Sequence, residues 1–130
     1  MQRRATDPPL RRALRPLGPV QFGVSRRKHS GATGLHVDGE LDVLTAPKLS
    51  AELDVIIRRY TGDVVIDLRG TLFIDSAGLH TLLIAHRRLT RASRRMTVIC
   101  GDGPVRRVIE LARLADTFGV VPGSDDHDPP

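Results

Sequence analysis

Three features of the sequence predict an α/β fold: a single domain in which a small, mostly parallel mixed β-sheet has three or more helices packed on it. Short β-branched runs, Val64-Val65-Ile66-Asp67-Leu68 and Met96-Thr97-Val98-Ile99-Cys100, read as strands buried on both faces. Segments with apolar residues at helical spacing alternate with them, and each strand-helix-strand step calls for a right-handed crossover onto a parallel neighbour. A length of 130 residues with 40% hydrophobic content suits one compact core.

The elements follow in order. From Gln21 to about His29, Phe22, Val24 and basic side chains alternate roughly as in an edge strand. Ser30-Gly31-Ala32-Thr33-Gly34 reads as a turn, and Leu35 to Leu41 alternates again, giving a hairpin. Thr45 is placed to cap a helix running to about Arg59, with Ala46, Leu49, Leu53 and Ile56/Ile57 at helical spacing and Pro47 tolerated in the first turn. After the strand at residues 64–68 comes a loop, then a helix from about Ser76 to Thr90. The strand at Met96–Cys100 leads through a Gly101-Asp102-Gly103-Pro104 turn into a third helix, Val105 to Ala115, with Val105, Val108, Ile109, Leu111 and Leu114 apolar. Gly119-Val120-Val121 is the last strand. The expected organisation is a disordered basic leader at residues 1–19, one domain at 20–122 and a disordered acidic tail at 123–130.

The stretch Asp67 to Leu79 carries the functional signal. A buried strand runs into a loop ending in Asp75-Ser76-Ala77-Gly78, where a helix begins. Free backbone N–H groups and the positive end of the helix dipole make such a place hospitable to an anion, and a phosphate on Ser76 suits it. Ala77 and Gly78 add no bulk, so a partner surface can lie close to the helix tip. On a helical wheel, Leu79, Leu82, Leu83, His86 and Leu89 face the core, while His80, Ile84, Arg87 and Arg91 face away. Ser76 lines up with His80, Leu83 and Arg87 on successive turns. Asp75, Ser76, Ala77, Gly78, His80 and Arg87 therefore form the expected partner-binding set, with Ser76 as the modification site. The residues alone also allow Ser76 or Asp75 to be a plain helix cap.

The loop Phe73-Ile74-Asp75-Ser76-Ala77-Gly78-Leu79, together with Gly39-Glu40-Leu41-Asp42-Val43-Leu44-Thr45-Ala46, resembles the STAS domain family and within it the anti-sigma-factor antagonists. The resemblance spans roughly Val20 to Pro122. It implies a small sheet with packed helices, and phosphorylation of Ser76 by an anti-sigma factor that is itself a serine kinase. It further implies that the unphosphorylated chain sequesters that kinase and frees a sigma factor, that the phosphorylated chain lets go, and that a serine phosphatase resets the cycle. Residue 77 is alanine, so the motif offers one hydroxyl. The same resemblance leaves a second reading, a constitutive STAS interaction subunit of a signalling or transport assembly without phosphorylation.

Composition excludes other classes. No apolar run is long enough to span a membrane, and the leader has no apolar core of secretory length. A cytoplasmic protein is the expectation. The lone Cys100 fits a reducing compartment and a buried small residue, and no histidine pair has ligand spacing, so neither metal nor cofactor is expected. The net charge of +5 raises nucleic acid as a partner, but few aromatic rings are present for stacking, and no direct nucleic-acid contact is expected. Asp75, Ser76 and His80 share one helix start, which is not the geometry of a hydrolase triad. The sequence points to a regulator and not to an enzyme. His86 is read as a core histidine, and the arginines at 87, 88, 91, 94 and 95 as a solvated helix end.

Overall fold

The computed structural model describes residues 21–123; the leader 1–19 and the tail from residue 124 lie outside the described residues. Among the described residues, six strands and three helices occur in the order β1 (Gly23–His29), β2 (Ala32–Leu41), α1 (Ala46–Arg59), β3 (Val64–Asp67), β4 (Thr71–Ile74), α2 (Ser76–Arg91), β5 (Met96–Ile99), α3 (Pro104–Leu111) and β6 (Val120–Val121). The sheet runs β1-β2-β3-β5-β6, with β4 added alongside β2. Among the described strands only the β1–β2 pair is antiparallel. The α/β class and the mixed, mostly parallel sheet are as the sequence predicts.

The hairpin turn is tighter than expected. Ser30 at φ 46° and Gly31 at φ 88° both take the left-handed conformation of a two-residue primed turn, so β2 begins at Ala32. Gly34 belongs to the strand. A Cβ there would stand 2.7 Å from the His29 ring and 2.9 Å from the Arg27 carbonyl oxygen, so close approach and not turning requires the glycine.

The far end of β2, beyond its pairing with β3, gives β4 its partner. Thr71–Ile74, expected as loop, pairs in parallel with Gly39–Leu41, with an irregularity between Gly39 and Glu40. The buried Thr71 hydroxyl donates to the Val37 carbonyl at 2.7 Å and fixes the start of the strand. Four residues with a buried-exposed-exposed-buried pattern carry no period of two, and so leave no strand signal.

Leu35, Val37 and Leu41 of β2 meet Leu49, Leu53 and Ile56 of α1 and Leu82 and Leu89 of α2 in one core. Helix α2 is rotated from the expected wheel. Its buried line is Gly78, Leu82, Ala85 and Leu89, while Leu79, Leu83 and His86 are half-buried at the margin. The small Gly78 and Ala85 let the helix approach closely, an effect that counting large apolar residues misses. His86 is thus not a core residue. Helix α3 stops at Leu111, which is exposed, and Arg113 beyond it has φ 59°. Phe118, in the loop before β6, is fully buried. Buried Cys100 fits its expected role, and burial pushes its thiol up, away from the reactive thiolate.

Candidate functional site

The site is built where β4 hands over to α2. The Asp75 backbone N–H donates to the Leu41 carbonyl at 3.2 Å, which seats the helix start against the end of β2. Asp75 then becomes the cap. Its Oδ1 accepts from the backbone N–H groups of Ala77 at 2.9 Å and Gly78 at 3.2 Å. Ser76, the first helical residue, is exposed, and its hydroxyl makes no hydrogen bond among the described residues. The alternatives left open by the sequence separate here: Asp75 caps, and Ser76 does not.

This arrangement also corrects the expectation that the first turn offers its N–H groups to an anion. Two of them are taken by the Asp75 carboxylate. A phosphate on Ser76 would meet a negative charge on the preceding residue and turn toward solvent or a partner.

The other expected residues divide by exposure. His80 and Arg87 are exposed on the same helix, below Ser76 on successive turns, and Ala77 is half-buried. Gly78 is buried and does not belong to the outer surface. A Cβ there would lie 2.8 Å from both Ile74 Cγ1 and Leu41 Cγ, so its smallness serves the domain's own packing. Asp75 makes no hydrogen bond to His80; its Oδ1 serves the cap, and no acid-base relay is formed among the described residues. Among the described residues no cluster of three or more His, Cys, Asp or Glu side chains is placed to hold a metal. No described helix is long and apolar enough to cross a membrane.

A second loop flanks the same helix start. Asp42 Oδ1 accepts from the N–H groups of Leu44 and Thr45, at 3.0 and 3.1 Å, and Thr45 Oγ1 accepts from the Asp42 N–H at 2.9 Å. Thr45 does not cap α1 through its side chain as the sequence reading had it; its hydroxyl closes this turn instead. Val43 and Leu44 are left 68% and 83% exposed.

Fold and site now stand beside known proteins. The STAS domain profile matches residues 24–127, most of the chain. The chain belongs to the STAS domain family. The anti-sigma F factor antagonist of Paenibacillus polymyxa is 27% identical over 108 residues, covering 82% of this chain and 90% of that one. The anti-sigma-F factor antagonist RsfB of Mycobacterium tuberculosis is 29% identical over 100 residues, covering 77% and 81%. A solved anti-sigma factor antagonist from Mycobacterium paratuberculosis superposes with a TM-score of 0.74 at 29% identity, covering 82% of this chain and 91% of that one.

Within this STAS domain one polar network escapes sequence reasoning. Asp67, 2% exposed at the end of β3, accepts from the Arg69 backbone N–H at 2.9 Å and from its guanidinium at 2.6 Å, and His36 Nε2 stands 3.3 Å away. Burial alone would push the Asp67 carboxyl up; the Arg69 guanidinium and N–H, with His36, outweigh it and hold the carboxyl below its usual range. The parallel register that puts His36 opposite Asp67 is a tertiary fact. The Val43-Leu44 loop was more accessible. Aspartate and threonine three residues apart, ahead of a helix, are a turn signal that leaves the two residues between them facing out.

The expected solvated arginine end is only partly so. Arg88 pairs with Asp54 at 3.1 Å, and Arg94 donates to the carbonyls of Gly62 at 2.6 Å and Ile57 at 2.9 Å, tying α1 to the loop before β5. Arg87, Arg91 and Arg95 are exposed.

Proposed function

We propose that this STAS domain is an anti-sigma-factor antagonist that acts in the cytoplasm as a binding regulator and not as an enzyme. It binds an anti-sigma factor with serine kinase activity and is released when that kinase phosphorylates Ser76. The observation that carries the reading is the exposed, uncommitted Ser76 hydroxyl beside a neighbouring carboxylate that already supplies the cap. The names of the relatives supply the partner class.

The physical step is electrostatic. A phosphate adds about −1.5 to −2 charges. Placed next to Asp75, whose Oδ1 already holds the Ala77 and Gly78 N–H groups, that charge falls in the contact with the kinase. Desolvating an unpaired charge weakens the complex, chiefly by speeding its dissociation. A serine phosphatase then restores the binding form. His80 and Arg87, exposed along the same helix, extend the contact below Ser76.

The test is intact-mass spectrometry of the chain after incubation with magnesium-ATP and each serine-kinase anti-sigma factor of its own organism. A gain of about 80 Da mapped to Ser76 is expected. Ser76→Ala should bind as well as the unsubstituted chain without accepting phosphate, and Ser76→Asp should bind about tenfold more weakly, a loss of ~1.4 kcal/mol. Stable complexes without phosphate at Ser76 would instead establish a constitutive interaction subunit.

A further inference from the structure

The turn between β2 and α1 is rigid, yet it holds two adjacent apolar side chains in water. Four hydrogen bonds fix it: Asp42 Oδ1 to the N–H groups of Leu44 and Thr45, the Asp42 N–H to Thr45 Oγ1, and the Thr45 hydroxyl to the Glu40 carbonyl at 2.7 Å. The Ala46 N–H adds a fifth, to the Asp42 carbonyl at 2.7 Å. Nothing in the domain's own packing uses Val43 or Leu44, which are 68% and 83% exposed. A turn held this firmly cannot fold the two side chains inward, so they stay presented.

Their position is tied to Ser76. Leu41 accepts the Asp75 N–H at 3.2 Å and fills the space beside Gly78, so the end of β2 touches the first turn of α2. Val43 follows Leu41 by two residues, a reach of ~7.6 Å at most along the chain. Phe73, 48% exposed and just ahead of Asp75, adds apolar surface from β4. A protein whose active site closes over the Ser76 hydroxyl must therefore also cover this loop.

We propose that Val43 and Leu44 are the apolar anchor for the kinase-type anti-sigma factor, supplying affinity and specificity while Ser76 supplies the switch. The inference rests on the reading given under Proposed function. A few centrally placed apolar side chains within a polar rim carry most of the affinity of such interfaces, and a preformed loop loses little freedom on binding. Ser76 and His80 on α2 and Lys48 on α1 are exposed polar residues that would supply that rim. The unphosphorylated chain is held by the anchor, and phosphate opposes it without altering it.

The experiment measures binding and phosphorylation of Leu44→Ser and Val43→Ser by the anti-sigma kinase that binds the unsubstituted chain, with Leu111→Ser as control. Leu111 is 78% exposed at the end of α3, outside the turn between β2 and α1, so the control removes a comparably exposed apolar side chain that is not part of the anchor. Leu44→Ser should bind roughly tenfold or more weakly and Val43→Ser somewhat less so, as is usual for hot-spot truncation. The KM for phosphorylation of Ser76 should rise with kcat nearly unchanged, because the acceptor hydroxyl is untouched. Leu44→Met should restore binding, and all variants should keep the thermal midpoint of the parent, since the substituted side chains are exposed. Parental affinity and KM in both loop variants, or an equal loss in Leu111→Ser, would overturn the anchor while leaving the Ser76 switch standing. Failure of every serine-kinase anti-sigma factor to bind the unsubstituted chain would overturn the functional reading and the anchor with it.

Discussion

Asp67 and Asp75 stand at either side of β4 and put the same side chain to opposite uses. Asp67 is buried, its oxygens accept from the Arg69 backbone N–H and guanidinium, and His36 Nε2 stands 3.3 Å from Oδ2, which brings β2, β3 and the loop beyond to one carboxylate. Asp75 lies at the surface and gives one oxygen to two backbone N–H groups of α2. The first carboxylate holds the fold together and has no reach outside it. The second completes a helix start and so frees the next residue from any structural duty. A modifiable residue needs that freedom, because a hydroxyl already engaged in a cap would lose its bond on phosphorylation and loosen the helix that presents it.

The largest test of this contrast is Asp67→Asn. The substitution removes the buried negative charge that the Arg69 guanidinium, whose side chain is 21% exposed, meets at Asp67. The cost should be about 3 kcal/mol, the lower end of the range for a broken buried pair because Arg69 keeps some water. Acid should reveal the same group. The Asp67 carboxyl titrates below its unfolded value near ~3.9, so its contribution is present above about pH 4 and is lost as pH falls through the lowered folded value. Urea midpoints taken across that window should fall steeply for the parent and less steeply for Asp67→Asn. Parallel curves would place the acid sensitivity elsewhere.

Gly78→Ala probes the inner side of the functional motif. The new Cβ meets Ile74 Cγ1 and Leu41 Cγ at 2.8 Å, and overpacking of this kind costs about 1–3 kcal/mol. Alanine recovers ~1 kcal/mol in helix propensity over glycine. A net loss near ~1 kcal/mol in a urea titration is expected. A gain would mean that α2 can shift away from β2 at no cost.

How much of this could be read from the chain follows the range of each interaction. Buried strands such as Val64–Asp67 and Met96–Ile99 and the helix Ala46–Arg59 are written in local periodicity, and their limits shift by a residue or less from expectation. Strand β4 was hidden because Thr71–Ile74 has no alternation and exists through its pairing with the far end of β2. The true buried face of α2 was hidden because Gly78 and Ala85 mark it by smallness, whereas Leu79 and Leu83 draw attention to its margin. At the site, the motif located Ser76 at a strand-to-helix junction, but Asp75 and Ser76 are equally good caps on paper. Only the backbone geometry, with Asp75 extended at φ −119° and ψ −170°, decides between them.

That decision makes the smallest expected effects the most informative. Asp75→Ala removes the oxygen that two N–H groups share and should cost about 1 kcal/mol, as lost N-caps do. Ser76→Ala removes a hydroxyl that makes no hydrogen bond among the described residues, at a helical position where alanine is favoured over serine by up to ~0.7 kcal/mol. Its thermal and urea midpoints should therefore match or slightly exceed the parent's, while Asp75→Ala falls below both. A Ser76→Ala loss as large as that of Asp75→Ala would return the serine to a capping role and give its place in the motif a structural reason. With no loss, the serine is kept where it adds nothing to the fold, and its hydroxyl is left for chemistry done to the domain by a partner.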